Sequence, residues 1–437
     1  MSRRRFAQAA AVLLALTFGL PAGAGAEGPQ RFVTVDGRRL VAPDGQTLLL
    51  KGINLGNWLM PEGYMFKFKK AKSPRRIREA VEHVLGPSDT AVFWQTFRER
   101  YITRDDIRLI RSLGFNTVRI PLHWGLFMSA DDPPVIGGDG WPLLDRLIGW
   151  AGEAGLRVVI DLHAAPGGQT GINHDDGSGY PLMFYVPRHQ RATIALWREI
   201  ASRYRDEPVV LGYDILNEPI APFHDVALLN PRLERMYRRI VAAIRTVDPE
   251  HLVFLNGAQW ATSFAMFGPP FDDRLVYTYH KFWSATTRQA IAEYIDFRNR
   301  HDVPIWLGES GELTDAWTRE FRELHERHGI GWSFWTYKNL DTGSSVVTIP
   351  RPAGWDAVIS IADGGAATAP GGAALAGPAE LDGAAAVQAA QAALAAYLRN
   401  IELGNCAINR GYVEALGLRV PHDTGLPDAG PPTTEPG

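Results

Sequence analysis

The chain holds 437 residues, 21% of them charged, with a formal net charge of −3. That length suits one large domain, or one with a small appendage, and the near-neutral balance offers nucleic acid or another polyanion little to hold. One cysteine, Cys406, excludes an intramolecular disulfide and a cysteine-built zinc site, and reads as a lone buried thiol.

The first 26 residues read as a signal peptide. Arg3, Arg4 and Arg5 form a basic start, Ala9–Leu20 is mostly apolar, and Ala24-Gly25-Ala26 offers small residues for cleavage before Glu27. Ser2-Arg3-Arg4-Arg5-Phe6 also resembles a twin-arginine signal, so a secreted or periplasmic location is expected. The apolar run is short for a membrane span, and no other stretch qualifies. Beyond it, Asp36-Gly37 and Asp44-Gly45 are turn pairs, which predicts a β-hairpin plugging one end of the main domain.

Eight apolar runs follow: Leu48–Asn54, Asn116–Pro121, Arg157–His163, Val209–Asn217, Leu252–Asn256, Leu275–His280, Ile305–Glu309 and Gly331–Trp335. Most are continuous rather than alternating, as strands covered on both faces must be. Between most of them lie stretches of helical spacing. Thr103–Asp106 resembles a capping box before Ile107–Leu113, and further helices are predicted over Trp141–Glu153, Gln190–Tyr204, Arg232–Thr246, Arg288–Asn299 and Thr314–His328. The fifth and sixth runs are joined by only a short helical signal near Gln259–Phe264. Eight strand-then-helix units predict a (β/α)8 TIM barrel, a single domain over residues 27–420. After Tyr337 the texture changes. Asp363–Leu381, rich in Ala, Gly and Pro, reads as a surface excursion, Ala384–Arg399 as a closing helix, and Pro421–Gly437 as a disordered tail.

Barrels of this kind carry their chemistry at the C-terminal ends of the strands. Glu218, in Gly212-Tyr213-Asp214-Ile215-Leu216-Asn217-Glu218-Pro219, is expected at one such tip, since proline cannot extend a ladder. Glu309, in Pro304–Ser310, is expected at another. Other tips deliver Asn54, Trp58 and Glu62, then Arg119, Asp161 and His163, Asn217, Tyr279 and His280, and Trp335. A purely structural barrel has no need of a polar group at nearly every C-terminal end. Two carboxylates suit glycoside hydrolysis: one must be protonated to donate to the leaving oxygen, the other ionised to attack or to activate water. Like charge nearby raises the pKa of the acid, and a close arginine such as Arg119 lowers that of its partner. Tryptophan faces stack on sugar rings, and the chain carries 13 of them, although most Trp side chains serve a core.

Arg119 in Asn116–Pro121, His163 in Asp161-Leu162-His163, Asn217-Glu218-Pro219, His280, Glu309 in Leu307-Gly308-Glu309, and Trp335 together resemble glycoside hydrolase family 5, a group of retaining barrel glycosidases, over roughly residues 40 to 345. The resemblance implies Glu218 as acid/base and Glu309 as nucleophile, with their carboxyl groups roughly 5–5.5 Å apart. It further implies Asn217 on the sugar 2-hydroxyl, His280 beside the acid/base, His163 lining the first subsite, Trp335 as its floor, and Arg119 supporting Glu309. It implies a glycan substrate and no cofactor or metal, and a monomer is expected. Gly52–Leu59 and Asp161–Gln169 are similar to the exo-β-1,3-glucanases of the family, which makes Glu62 a candidate ligand for the non-reducing-end sugar, with Trp58 beside it. The expected activity is hydrolysis of β-linked glucans or glucosides. A β-1,4-glucanase or mannanase of the same family stands as the alternative.

One position departs from the family. Tyrosine usually stands two residues after the strand-six histidine; here that residue is Phe282, and Tyr279 is a candidate substitute. Two readings of other classes remain: a metal-dependent hydrolase built on His163, His174 and His280, and a sugar-binding barrel that has lost catalysis.

Overall fold

In the computed structural model, which describes residues 31–365 and 383–430, the eight apolar runs form one closed parallel barrel. A hairpin of β1 (Thr34–Asp36) and β2 (Arg39–Val41) precedes it. The barrel strands are β3 (Lys51–Asn54), β4 (Thr117–His123), β5 (Arg157–Ala164), β6 (Val210–Asp214), β7 (Leu252–Asn256), β8 (Leu275–His280), β9 (Ile305–Glu309) and β10 (Gly331–Phe334), with β10 pairing back onto β3. Gly37 supplies the positive φ of the hairpin turn at 55°.

The helices are α1 (Pro74–Leu85), α2 (Pro87–Tyr101), α3 (Arg104–Leu113), α4 (Gly140–Ala154), α5 (Pro187–Tyr204), α6 (Val226–Arg245), the single kinked turn α7 (Ala258–Ala261), α8 (Ala292–His301), α9 (Asp315–Arg327), α10 (Trp355–Ser360), α11 (Gly383–Asn400) and α12 (Arg410–Ala415). The capping box before α3 is formed, with Asp106 Oδ2 accepting the Thr103 N–H at 2.8 Å. Helices α1 and α2 are additions to the expected list, and both begin with proline in the first turn. A second addition is a small sheet of β11 (Lys338–Leu340), β12 (Val347–Ile349) and β13 (Ala407–Ile408).

Period-two alternation divides the barrel interior into two layers. Low in the barrel, Val159, Leu252, Phe254, Val276 and Trp306 cluster with Val33 and Leu40 of the hairpin, so the hairpin closes the N-terminal end. Burying each large apolar side chain is worth roughly 1.5–3 kcal/mol. Two residues further along the same strands the inward positions turn polar: Val159 gives way to Asp161 and His163, Phe254 to Asn256, and Val276 to Thr278 and His280. The outward set, including Val158, Ile160 and Leu162 of β5, packs in the large core under the helices.

Two expectations change. Strand β6 ends at Asp214, so Asn217 and Glu218 belong to the loop beyond it rather than to its tip. The loop stays tied to both neighbouring strands, Ile215 N–H donating to Phe254 O at 3.2 Å and Asn217 N–H to Leu162 O at 3.1 Å. The chain therefore leaves the ladder before Pro219 is reached. Residues 421–430 hold to β13: Ile408 N–H donates to Pro427 O and Ala429 N–H to Ile408 O, both at 2.9 Å. The signal segment, the rest of the tail (431–437) and most of Asp363–Leu381 lie outside the described residues. Among the described residues no helix is long and apolar enough to cross a membrane.

Candidate active site

The upper polar layer is organised by Arg119, which is fully buried on β4. Its Nε donates to Asp214 Oδ2 at 2.8 Å, Nη2 to Asn217 Oδ1 at 2.8 Å, and Nη1 to Asn54 Oδ1 at 3.0 Å and to Glu309 Oε1. Asp161 Oδ1 lies 3.1 Å from Nη2. One guanidinium thus faces three buried carboxylates, which holds its own pKa above the usual arginine value despite burial. Burial pushes Asp161 and Asp214 up to about 7 each, with Arg119 opposing.

A chain of bonds leads from Asp161 to the mouth. Its Oδ2 lies 2.8 Å from His163 Nδ1, and His163 Nε2 lies 3.1 Å from Asn217 Nδ2. An amide N–H can only donate, so Nε2 accepts and the proton sits on Nδ1. Burial lowers the His163 pKa to about 3, which keeps the ring neutral. Glu62 Oε1 stands 3.9 Å from the same Nε2, and burial followed by Glu309 raises Glu62 well above the ordinary carboxylate range. Trp335 stacks on His163 with ring centroids 5.7 Å apart, and its Nε1 donates to the Tyr64 hydroxyl at 2.5 Å.

Glu218 and Glu309 meet across this mouth. One carboxylate oxygen of each, with a His280 ring nitrogen, lies within 4.8 Å of the others. His280 Nδ1 is 2.9 Å from Glu218 Oε1 and 3.6 Å from Glu309 Oε2. On its other side Glu218 Oε2 is 3.5 Å from His174 Nε2. The backbone of Glu218 is left-handed, with φ at 44°, and is fixed by Thr170 Oγ1 donating to its carbonyl at 2.8 Å. Burial raises the pKa of both carboxylates. At Glu218 the negative neighbours Glu309 and Glu62 push the same way; at Glu309 the adjacent Arg119 pulls back. Burial thus acts on both, but only at Glu309 does an adjacent cation oppose it strongly.

Of the sequence-predicted residues, Glu218, Glu309, Arg119, His163, Asn217, His280, Glu62 and Trp335 come together. Two do not. Trp58 is 1% exposed and its Nε1 donates to Arg98 O of α2 at 2.7 Å, so it is core. Tyr279 points outward, one residue out of phase with His280, and stacks on Tyr294 of α8 at 3.8 Å. It cannot stand in for the hydroxyl missing at Phe282, and Glu309 takes its polar contacts from Arg119, His163 and His280 instead. For the metal reading, the ring nitrogens of His163, His174 and His280 are not, among the described residues, together close enough to hold an ion. Among the described residues, the donor groups close enough for an ion are Asp161, His163 and Glu309, and Glu218, His280 and Glu309. In the first of these Arg119 already supplies the cation.

Sequence reasoning passed over Asp214, Asn256 and Tyr64, and it did not pair His174 with Glu218. Asp214 carried a signal, being an acid at the end of an otherwise apolar strand; Tyr64 and His174 sit on single 3-10 turns between strands, whose path no local pattern gives.

A (β/α)8 barrel that sets two unequal carboxylates across a sugar-sized gap at its C-terminal mouth is the architecture of a glycoside-cleaving enzyme. The sequence profile of cellulase (glycosyl hydrolase family 5) matches residues 79–341. The chain belongs to glycoside hydrolase family 5 and is a glycoside hydrolase. It is 29% identical over 346 residues to a beta-xylosidase of Phanerodontia chrysosporium, covering 71% of each chain. It is 30% identical over 286 residues to a probable glucan 1,3-beta-glucosidase A of Aspergillus clavatus, covering 62% of this chain and 67% of that one. The crystal structure of an endogalactoceramidase shares the fold, with a TM-score of 0.52 at 20% identity over 70% of this chain and 74% of the other.

Proposed function

We propose that the protein is a retaining β-glycosidase acting on β-linked glucans or glucosides, with Glu309 as nucleophile and Glu218 as acid/base. The observation that carries this is the separation of the two carboxylates, whose nearest oxygens lie within 4.8 Å. Inverting enzymes need roughly 6.5–9.5 Å between carboxyl groups to seat a water, whereas direct attack needs roughly 5–5.5 Å. In the first half-reaction Glu309 attacks the anomeric carbon and forms an ester, while the bond to the leaving oxygen breaks and Glu218 gives that oxygen its proton. In the second, Glu218 takes a proton from water, the hydroxide attacks the same carbon, and Glu309 is released. Arg119 keeps Glu309 ionised and aimed, Asn217 takes the 2-hydroxyl, and Trp335 with His163 forms the floor and wall of the first subsite.

The names of the relatives support glucan 1,3-β-glucosidase or β-xylosidase action. Glu62, 3.9 Å from His163, supports a pocket that binds the non-reducing end and cuts from it. Incubation with laminarin, cello-oligosaccharides, mannan, and aryl β-glucoside and β-xyloside tests this. The reading expects monosaccharide as the first product, from laminarin or an aryl glycoside; early release of a ladder of longer oligomers contradicts it. The basic and apolar first 26 residues support export, checked by the N-terminal sequence of the protein recovered outside the cytoplasm.

A further inference from the structure

We propose that His174 is a positioning residue for Glu218, holding the carboxyl group from the side opposite His280 through both halves of the reaction. The inference rests on Glu218 being the acid/base. His280 Nδ1 takes Oε1 at 2.9 Å and His174 Nε2 stands 3.5 Å from Oε2, so the carboxyl group is bracketed by two imidazoles. His174 Nε2 is buried, and Glu218 is the polar group it faces; no hydrogen bond to it forms among the described residues at this distance. Catalytic hydrogen bonds are commonly long without substrate and tighten when it binds.

The loop that carries His174 is built to present it. Asp175, buried beside it, accepts N–H bonds from Thr170 at 2.6 Å, Gly171 at 2.9 Å and Gly177 at 2.7 Å, folding the chain into one short turn. Thr170 of the same loop donates to the Glu218 carbonyl at 2.8 Å. One segment therefore fixes both the backbone of Glu218 and the ring that meets its side chain.

The chemistry of imidazole suits a partner whose charge alternates. The acid/base is a neutral acid in the first step and a carboxylate in the second. A neutral ring with its proton on Nε2 donates to Oε2 of Glu218 in either charge state, which leaves the acid proton free for the leaving oxygen. The charged and titratable groups facing His174 are Glu218, His163 and His280; burial, with His163 adding, holds the His174 pKa to about 3, so the ring stays neutral.

A leaving-group series separates this role from simple loop packing. His174→Ala is compared with the parent enzyme on laminaribiose, whose departing sugar needs a proton, and on 2,4-dinitrophenyl β-glucoside, whose leaving group does not. Acid catalysis is commonly worth about 10²–10⁴-fold, so kcat/KM on laminaribiose should fall by about 10–100-fold. On the dinitrophenyl substrate it should fall by less than about threefold, and His174→Gln should recover part of the loss. An equal loss on both substrates, or no loss on laminaribiose, overturns the proposal. Glu218→Ala run alongside tests the underlying reading: if that variant loses both activities equally, the acid assignment fails rather than the role of His174.

Discussion

Arg119 answers for Asp161, Asp214 and Glu309 with a single positive charge, all of it out of water. In the proposed mechanism Glu309 gains most, since a nucleophile must be ionised in a site whose burial favours the neutral form. Glu218 lies next to no comparable cation and inherits repulsion from Glu309 and Glu62. A raised pKa keeps Glu218 protonated beyond the ordinary carboxylate range, and activity is lost as pH rises through that value. At the acid end, activity is lost as Glu309 takes up a proton. The kcat/KM profile should be a bell whose alkaline limb lies well above a carboxylate's ordinary pKa of about 4.3. A profile already falling between about pH 4 and 5 as pH rises would contradict the desolvated acid.

At the scale of elements, Asp106 shows how a cap can also be an anchor. Its Oδ2 accepts the Thr103 N–H at the start of α3, and its Oδ1 takes Lys338 Nζ of β11 at 2.7 Å and the Tyr337 hydroxyl at 2.9 Å. Lys338 also donates to the carbonyls of Tyr101 at 2.7 Å and Ile401 at 3.0 Å, so α2, α3, the small sheet and the end of α11 are joined at one buried point. Removing one partner of a buried pair strands the other charge. Lys338→Met should cost roughly 3–5 kcal/mol in denaturant unfolding, and adding Asp106→Leu should restore part of that. A double variant that loses the sum of both single effects would show that the two charges are not coupled. The cap was readable from Thr103–Asp106 alone, but its partner was not, because the small sheet joins residues 338–349 to 407–408 and no local pattern announces so distant a pairing. The helices α1 and α2 were legible and passed over. Pro74 and Pro87 look like breakers but stand in the first turn, where a missing N–H costs nothing, and Phe93, Trp94, Phe97 and Tyr101 follow at helical spacing.

For the whole molecule, the strand count, the barrel and the hairpin plug could be read from sequence because a strand covered on both faces must be apolar throughout, and eight such runs leave few alternatives. Glu309 could be read for the same reason, as an acid at the end of an apolar strand, whereas Glu218 lies in the loop beyond its strand. What could not be read was direction. Tyr279 and His280 are adjacent, yet one faces the helices and the other the mouth; Trp58 follows a strand tip, yet turns into the core. The register that decides such cases belongs to the closed barrel, not to any strand alone. The central claim is likewise a property of the closed barrel: two acids brought close enough for direct attack. Proton NMR of the first sugar released from an aryl β-glycoside, recorded before mutarotation, tests it most directly. The account predicts the β-anomer as initial product; the α-anomer appearing first would contradict it.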